Sequence, residues 1–109
     1  MGHDSLEVIR NRMREFTTAR DWEQFHDPKS LALALVGEVG ELAELLQWLP
    51  AENVVEMAGD DPLRSRLGEE VSDVLIYLIR LADVLHLDLA AAVESKMNAN
   101  DNRFPTANR

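Results

Sequence analysis

A leucine stripe in residues 31–48 constrains the fold more than any other part of this chain. In the segment LALALVGEVGELAELLQW, apolar residues recur at helical spacing, but Glu38 occupies a position where the spacing predicts leucine. Glu41 follows three residues later, about 60° around the same side. An ionised carboxylate on a core-facing stripe costs free energy unless it is paired or binds a metal ion. The segment therefore predicts a helix with a charged site on its inner face. The stripe consists of Leu31, Leu35, Glu38, Leu42, Leu45 and Leu49.

A second acidic pair, Glu70 and Asp73, has the same spacing on the next long helix, where EEVSDVLIYL turns apolar immediately. The two pairs would meet if these helices pack antiparallel. Four carboxylates without an accompanying histidine or cysteine favour a hard cation, Mg²⁺ or Mn²⁺. Because Mg²⁺ held in this way is usually completed by substrate phosphates, the pattern indicates metal-assisted hydrolysis of a phosphate ester or phosphoanhydride.

Acidic pairs at this spacing are also common on solvated helix faces, so the residues alone leave that alternative open. The position of Glu38 within the leucine stripe is the observation that favours a site. A di-iron bundle is disfavoured, because its Glu-x-x-His ligand pairs are absent.

Composition limits the class of protein. A formal net charge of −9 argues against a nucleic-acid groove, which needs patches of lysine and arginine. It argues less strongly against a nucleotide, since bound divalent ions reverse the local field. The chain has no cysteine, its N-terminus lacks the apolar segment of a signal peptide, and its longest apolar run is far too short for a membrane span. We therefore expect a soluble, cytoplasmic protein with no membrane partner.

Helical spacing without strand-like alternation predicts an all-α, four-helix bundle formed by one domain over residues 1–109. Asp27 and Asp61, each followed by proline, and Asp88 provide N-caps. A short helical turn is expected at residues 52–57. The four predicted helices run from the Asp4 cap to about Arg20, from Pro28 to about Leu49, from Asp61-Pro62 to about Leu85 or His86, and from Asp88 to about Asn100.

The segments RDWEQFHDPKSLALALVGEVGELAELLQW and EEVSDVLIYL, together with the tail around Arg103-Phe104-Pro105, resemble the MazG-type all-α NTP pyrophosphohydrolases. Within that family they are similar to the dCTP pyrophosphatase branch, from about Phe16 to Pro105. The resemblance implies a bundle that forms homo-oligomers, dimers or tetramers. It also implies Mg²⁺-dependent hydrolysis of a nucleoside triphosphate, with dCTP giving dCMP and pyrophosphate, in a house-cleaning role.

The resemblance assigns roles to two groups of residues. The catalytic and metal-binding group is Glu38, Glu41, Glu70 and Asp73. The substrate-binding group is Trp22, His26, Trp48, Tyr77, Lys96, Asn100 and Arg103. In this branch the aromatic residues enclose the base and sugar, and those near the C-terminus contact phosphates or sugar.

The candidate substrate residues also have structural explanations. Trp48 could be a helix-end aromatic packed in the core, and Trp22 an anchor for the first loop. Tyr77 needs a hydrogen-bond partner when buried, whatever its function. The lysine and asparagine of the fourth helix would otherwise be an ordinary solvated pair, and the histidine beside Asp27 could serve local structure.

This sequence departs from the family pattern at three places. Gly37 precedes the first acid where the wider family often has a second glutamate, Met13 stands near a position where the branch often has a pocket histidine, and the tail carries fewer basic residues. The alternatives are the same fold acting on dUTP or phosphoribosyl-ATP, or a non-catalytic helical module that binds a partner through its apolar third helix.

Overall fold

The structure, a computed structural model, describes residues 5–106. In this range the regular structure is entirely helical, which confirms the predicted all-α class. None of the described helices combines the length and apolarity needed to cross a membrane. The elements are α1 (Ser5–Ala19), α2 (Pro28–Leu46), α3 (Val54–Met57), α4 (Leu63–Val84) and α5 (Leu89–Arg103), with 3₁₀ turns at Glu23–Phe25 and Ala51–Asn53.

Aspartate caps begin two of the long helices as predicted. The Asp27 carboxylate accepts hydrogen bonds from the Ser30 backbone N–H at 2.9 Å and from its hydroxyl at 2.7 Å. The Asp88 carboxylate accepts one from the backbone N–H of Ala91 at 3.1 Å. Each bond satisfies a backbone donor that has no partner within the helix, which stabilises the helix start. The predicted cap Asp4 lies outside the described residues.

Three helix ends differ from the predictions. Helix α2 ends at Leu46, because a 3.1 Å bond from the N–H of Leu49 to the Leu46 carbonyl tightens the chain before Pro50. Helix α4 begins at Leu63, one residue after Pro62, although the Asp61 carboxylate still accepts from the Ser65 N–H at 3.0 Å. Helix α5 continues to Arg103, since backbone hydrogen bonding extends to the N–H of Phe104.

Helices α1 and α4 end in left-handed residues that are not glycine. Asp21 has φ 54° and His86 has φ 59°. After α1, the N–H of Trp22 donates to the Thr17 carbonyl at 3.0 Å, the long-range bond of a Schellman motif. This turn folds the chain back, so that the Trp22 ring meets the Phe16 ring edge-on with centroids 5.6 Å apart.

The core lies where α2 and α1 pack against α4. Its buried apolar side chains are Leu31 of α2 and Ile79 and Ala82 of α4. The rest of the leucine stripe is half-buried on this side, which confirms the predicted inner face of α2. Leu31 lines a cavity with Tyr77, whereas Leu45 lines a groove with Leu63, so α2 and α4 run antiparallel as the acidic pairs required.

The single chain does not confirm the predicted four-helix bundle. Helix α5 is exposed along most of its length and packs little against the other helices. The radius of gyration is 17.2 Å, whereas a compact domain of this length has about 13 Å. Helices α2 and α4 also present large apolar side chains to solvent, including Leu33 and Val36, which are 63% and 67% exposed. The single chain therefore leaves apolar faces uncovered.

Candidate metal and nucleotide site

Three of the four predicted acids converge between α2 and α4. Glu38, Glu41 and Glu70 each contribute one carboxylate oxygen to a group whose atoms all lie within 4.8 Å of one another. Helical spacing sets the first two on one side of α2, and the antiparallel packing brings Glu70 opposite them. Three oxygen donors in this arrangement could share one cation.

The electrostatics of the cluster fit a cation. One carboxylate oxygen of Glu38 and one of Glu70 are buried and have no hydrogen-bond partner among the described residues. Burial raises the pKa of both carboxyl groups above the ordinary value, and the neighbouring charge of Glu41 raises them further. Buried carboxylate oxygens are normally bonded or bound to metal, and an all-oxygen donor set suits Mg²⁺ or Mn²⁺.

Asp73 stands at the edge of this cluster. It is not one of the three residues whose oxygens lie within 4.8 Å, but its negative charge helps to raise the pKa of Glu38 and of Glu70. Its neighbours Ser65, Gly68 and Ser72 form an open groove on the solvent side. Asp73 is therefore placed to enlarge the site rather than to form its centre.

A groove of about 540 Å³ lies directly beside the acids, within the size range of small-molecule sites. Glu41 and Glu70 line it together with Trp48 and Arg66. Trp48 is 85% exposed, so it is not a core aromatic. Arg66 was not identified from the sequence, although its position four residues before Glu70 was an available signal.

An apolar cavity of about 170 Å³ lies on the other side of the acids. This volume is smaller than a site for a whole drug-sized ligand and suits one ring system. Trp22, placed by the turn after α1, and Tyr77 form two of its walls. The cavity is lined by Met13, Phe16, Trp22, His26, Leu31, Ile76, Tyr77 and Arg80.

The cavity and the groove are separate within one chain. Leu31 of the cavity and Leu45 of the groove are 14 residues apart on α2, or about 21 Å along the helix axis. Trp22 and Trp48 therefore do not converge on one base within a single chain. The acids lie between them.

His26 has a tertiary partner that the sequence did not reveal. Nε–H of Arg80 donates to Nδ1 of His26 at 2.9 Å, across 54 residues of sequence. Burial lowers the pKa of His26, and the positive charge of Arg80 lowers it further. His26 therefore does more than serve the adjacent N-cap.

The predicted residues of α5 lie away from the acids. Lys96, Asn100 and Arg103 are exposed, and the Arg103 guanidinium lies over the ring of Phe104, 5.0 Å from its centroid. None of the three belongs to the group of described residues whose ligand atoms converge between α2 and α4.

Comparison with known proteins identifies the family. Residues 26–107 match the MazG nucleotide pyrophosphohydrolase domain. The chain belongs to this family. The matched region of this MazG domain contains the three converging acids, Asp73 and the predicted residues of α5.

Relatives of this MazG domain include proteins named as pyrophosphatases. It is 54% identical to dCTP pyrophosphatase 1 of rat and 52% identical to that of human, over 101 residues that cover 93% of this chain. The chain spans about 59% of the length of these relatives. Its fold matches a pyrophosphatase from Archaeoglobus fulgidus with a TM-score of 0.87 and 34% identity, covering 97% of both chains. The resemblance seen in the sequence is confirmed.

The raised pKa of Glu70 gives a prediction for the stability of this MazG domain. A carboxyl group whose pKa is raised by folding binds its proton more tightly in the folded protein, so it destabilises the fold as the pH rises from the unfolded-state pKa to the raised folded-state pKa. In chelator, Glu70→Gln should therefore raise Tm at pH 7.5 by a few degrees, and the gain should shrink as the pH falls towards 5.

Calorimetry of wild type and variant at matched pH measures this difference. The Tm difference between variant and wild type is used, and not the Tm of one protein across pH. The lowered pKa of His26 makes stability rise with pH over part of the same pH range, and this effect is common to both proteins. The exposed Glu56→Gln serves as control and should show no pH-dependent gain. A Glu70→Gln protein less stable than wild type at pH 7.5 would contradict the repulsion argument.

Proposed function

We propose that this MazG domain hydrolyses dCTP to dCMP and pyrophosphate with a divalent cation, Mg²⁺ or alternatively Mn²⁺. The observation that carries the proposal is the convergence of three carboxylates, two of them with unpartnered buried oxygens, between a groove and a base-sized cavity. The similarity to proteins named dCTP pyrophosphatase 1 supports the substrate. We also propose that the protein has a house-cleaning role in the nucleotide pool, in the cytoplasm and without a nucleic-acid or membrane partner.

The proposed roles are divided between the acidic cluster of α2 and α4 and the apolar cavity. Glu38, Glu41 and Glu70, with Asp73 beside them, would hold the cation. When bound, such an ion offsets the charge of the triphosphate and activates a water for attack on the phosphoanhydride. Tyr77 of the cavity is seven residues beyond Glu70, about 10 Å along the helix. A pyrimidine in the cavity would therefore bring its phosphates towards the acids.

The cavity supports a pyrimidine base rather than a whole nucleotide. Its apolar walls and the Trp22 and Phe16 rings offer burial and stacking for one flat ring. The negatively charged phosphates would remain outside the cavity, where a cation would offset the negative charge of the acidic cluster. Arg66 is the positively charged side chain of the adjoining groove and could approach the phosphates from there.

We further propose that the active form is a homo-oligomer, a dimer or tetramer. Lys96, Asn100 and Trp48 do not line the cavity of their own chain, so we propose that a second copy brings them to a base held there. The exposed apolar side chains of α2 and α4 and the unpacked α5 supply surface for such an association. The site would then be complete only in the assembly.

Sedimentation velocity at micromolar protein should give two or four times the chain mass of 12.3 kDa. Replacing Val36 by aspartate on the exposed face of α2 should shift the assembly towards monomer, because burying an unpaired carboxylate in an apolar interface costs free energy. A wild-type protein that sediments as a monomer at these concentrations would contradict the assembly.

Release of pyrophosphate from dCTP, with Mg²⁺ and with excess chelator, tests the proposed activity. We expect release with Mg²⁺, and in chelator a rate at least about 100-fold lower. Without the cation, the carboxylates and the triphosphate repel each other. A panel of dUTP and phosphoribosyl-ATP at the same Mg²⁺ separates the alternative substrates. No release from any nucleotide would favour a non-catalytic helical module.

A further inference from the structure

The proposed reaction gives no role to Arg80. Among the described residues it is the one charged side chain that is buried, with 8% of its surface exposed, and residues 74–82 around it carry no other charge. It lines the base-sized cavity together with His26 and Tyr77. A buried guanidinium is costly unless its charge and its donors are satisfied, so its partners indicate what it does.

One partner of Arg80 is a carboxylate held from two sides. Nη1 of Arg80 lies 3.4 Å from Oδ2 of Asp83, and Nε of Arg14 donates to the same oxygen at 2.8 Å. The hydrogen bond from Arg14 is the main reason that the pKa of Asp83 is lowered, so Asp83 remains ionised. Asp83 therefore neutralises Arg80 and fixes the orientation of its guanidinium.

The other partner is the His26 ring. A guanidinium has only donors and does not deprotonate in proteins, so the Nε–H that points at Nδ1 of His26 requires a lone pair on that nitrogen. A neutral imidazole has one N–H, and with Nδ1 accepting, the proton is on Nε2. The charge of Arg80 also opposes a second proton on the ring, which agrees with the lowered pKa of His26.

The other ring nitrogen of His26, Nε2, is therefore protonated and is a hydrogen-bond donor. No described residue forms a hydrogen bond with Nε2 of His26. Most of the other cavity-lining side chains are apolar, so a ligand ring that enters the cavity finds few polar atoms to pair with. An N–H donor in this cavity favours binding of a ligand that presents a hydrogen-bond acceptor and disfavours binding of one that presents a donor.

We infer that Arg80 is a positioning residue that holds His26 as an Nε2–H donor and thereby selects a pyrimidine whose N3 is an acceptor. Cytosine has a lone pair at N3, whereas uracil and thymine have N3–H there. Two facing N–H groups cannot bond to each other, so both would be left unpaired in the cavity. The inference rests on the proposed function and specifies how that site rejects uracil and thymine nucleotides.

The first test needs only the wild-type protein and two substrates besides dCTP. The triphosphate of 2-pyrimidinone deoxyriboside keeps the N3 acceptor of cytosine but lacks its amino group. We expect its kcat/KM to fall within about tenfold of that for dCTP and at least about tenfold above that for dUTP. Cleavage of this analogue as poor as that of dUTP would overturn the inference, because recognition would then depend on the amino group.

The second test reads the tautomer directly. ¹⁵N–¹H correlation spectra of histidine-labelled full chain should show His26 with a bare Nδ1 and a protonated Nε2, and this pattern should persist at pH 6. The His26→Asn variant assigns the resonances. A protonated Nδ1 in the wild-type protein would refute the inference whatever the kinetics show.

The third test removes the positioning group. Arg80→Met keeps most of the side-chain length without the donor or charge, and we expect the ratio of kcat/KM for dCTP to that for dUTP to fall at least about tenfold, through a higher KM for dCTP. The exposed Arg12→Met is the control and should keep the ratio. His26→Phe removes the donor and leaves Arg80 in place, so it should lower the ratio by the same factor. It provides the test if Arg80→Met does not fold.

The outcomes separate the inference from the proposed function. Cleavage of dCTP with an unchanged ratio in a folded Arg80→Met protein refutes the inference alone. Failure to cleave any nucleotide refutes the proposed function, and with it the selectivity assigned to His26.

Discussion

Replacing Glu38 by glutamine should lower kcat/KM for dCTP by at least about 100-fold at saturating Mg²⁺. Glu38 lies in the leucine stripe, converges with Glu41 and Glu70, and has a buried oxygen without a partner. Glutamine has nearly the same shape but no charge, so it keeps the packing of α2 and removes an anionic donor. Steady-state kinetics, with Mg²⁺ affinity measured by titration, report the effect.

The same variant should remain folded. In chelator it should be at least as stable as the wild type, because the neutral amide removes repulsion among the acids and relieves the cost that raises the pKa of Glu38. Far-ultraviolet circular dichroism and Tm measure this. Glu52→Gln, at an exposed position of the 3₁₀ turn, is the matched control and should retain full activity. Turnover of dCTP by Glu38→Gln at the wild-type rate would exclude Glu38 from the site.

Replacing Trp48 by alanine should weaken dCTP binding by about 1–3 kcal/mol, or roughly 5- to 150-fold, if its indole stacks on the base. The affinity for pyrophosphate should change much less, since pyrophosphate has no ring. Trp48 is 85% exposed beside the acids, in a place where an aromatic ring contributes little to packing in the single chain. Isothermal titration of both ligands to the Mg²⁺-loaded protein measures the difference.

Trp48→Phe is the conservative control and should recover most of the lost affinity, because it restores a flat ring. Tm of the alanine variant should stay close to the wild-type value if the indole is used for ligand binding. Equal losses of affinity for dCTP and pyrophosphate would remove Trp48 from base recognition. A large fall in Tm would indicate that the indole packs against a second copy instead.

Features set by nearby residues could be predicted from the sequence. The caps at Asp27 and Asp88 depend on groups within three positions, and the inner face of α2 depends only on helical periodicity. The helix ends at Asp21 and His86 were harder, because both use a left-handed residue where glycine is the usual signal. Local chemistry therefore predicted helix starts better than helix ends.

The site also has features that sequence spacing predicted and features that it did not. The convergence of Glu38, Glu41 and Glu70 followed from two acidic pairs and one assumption, the antiparallel packing of α2 and α4. The bond from Arg80 to His26 joins residues 54 positions apart and involves a charge inside an apolar run, so no spacing rule indicates it. The position of α5 could not be predicted either, because α5 packs little against the other helices of the chain.

In the proposed homo-oligomer, the exposed α5 and the uncovered apolar faces would link folding to the protein concentration. When surface is buried only on association, the free energy gained there depends on the concentration of free chains. The apparent Tm would then rise with protein concentration, and dilution alone would lower the folded fraction. In a cell, the rate of synthesis would thus set how much of the chain is in its folded form.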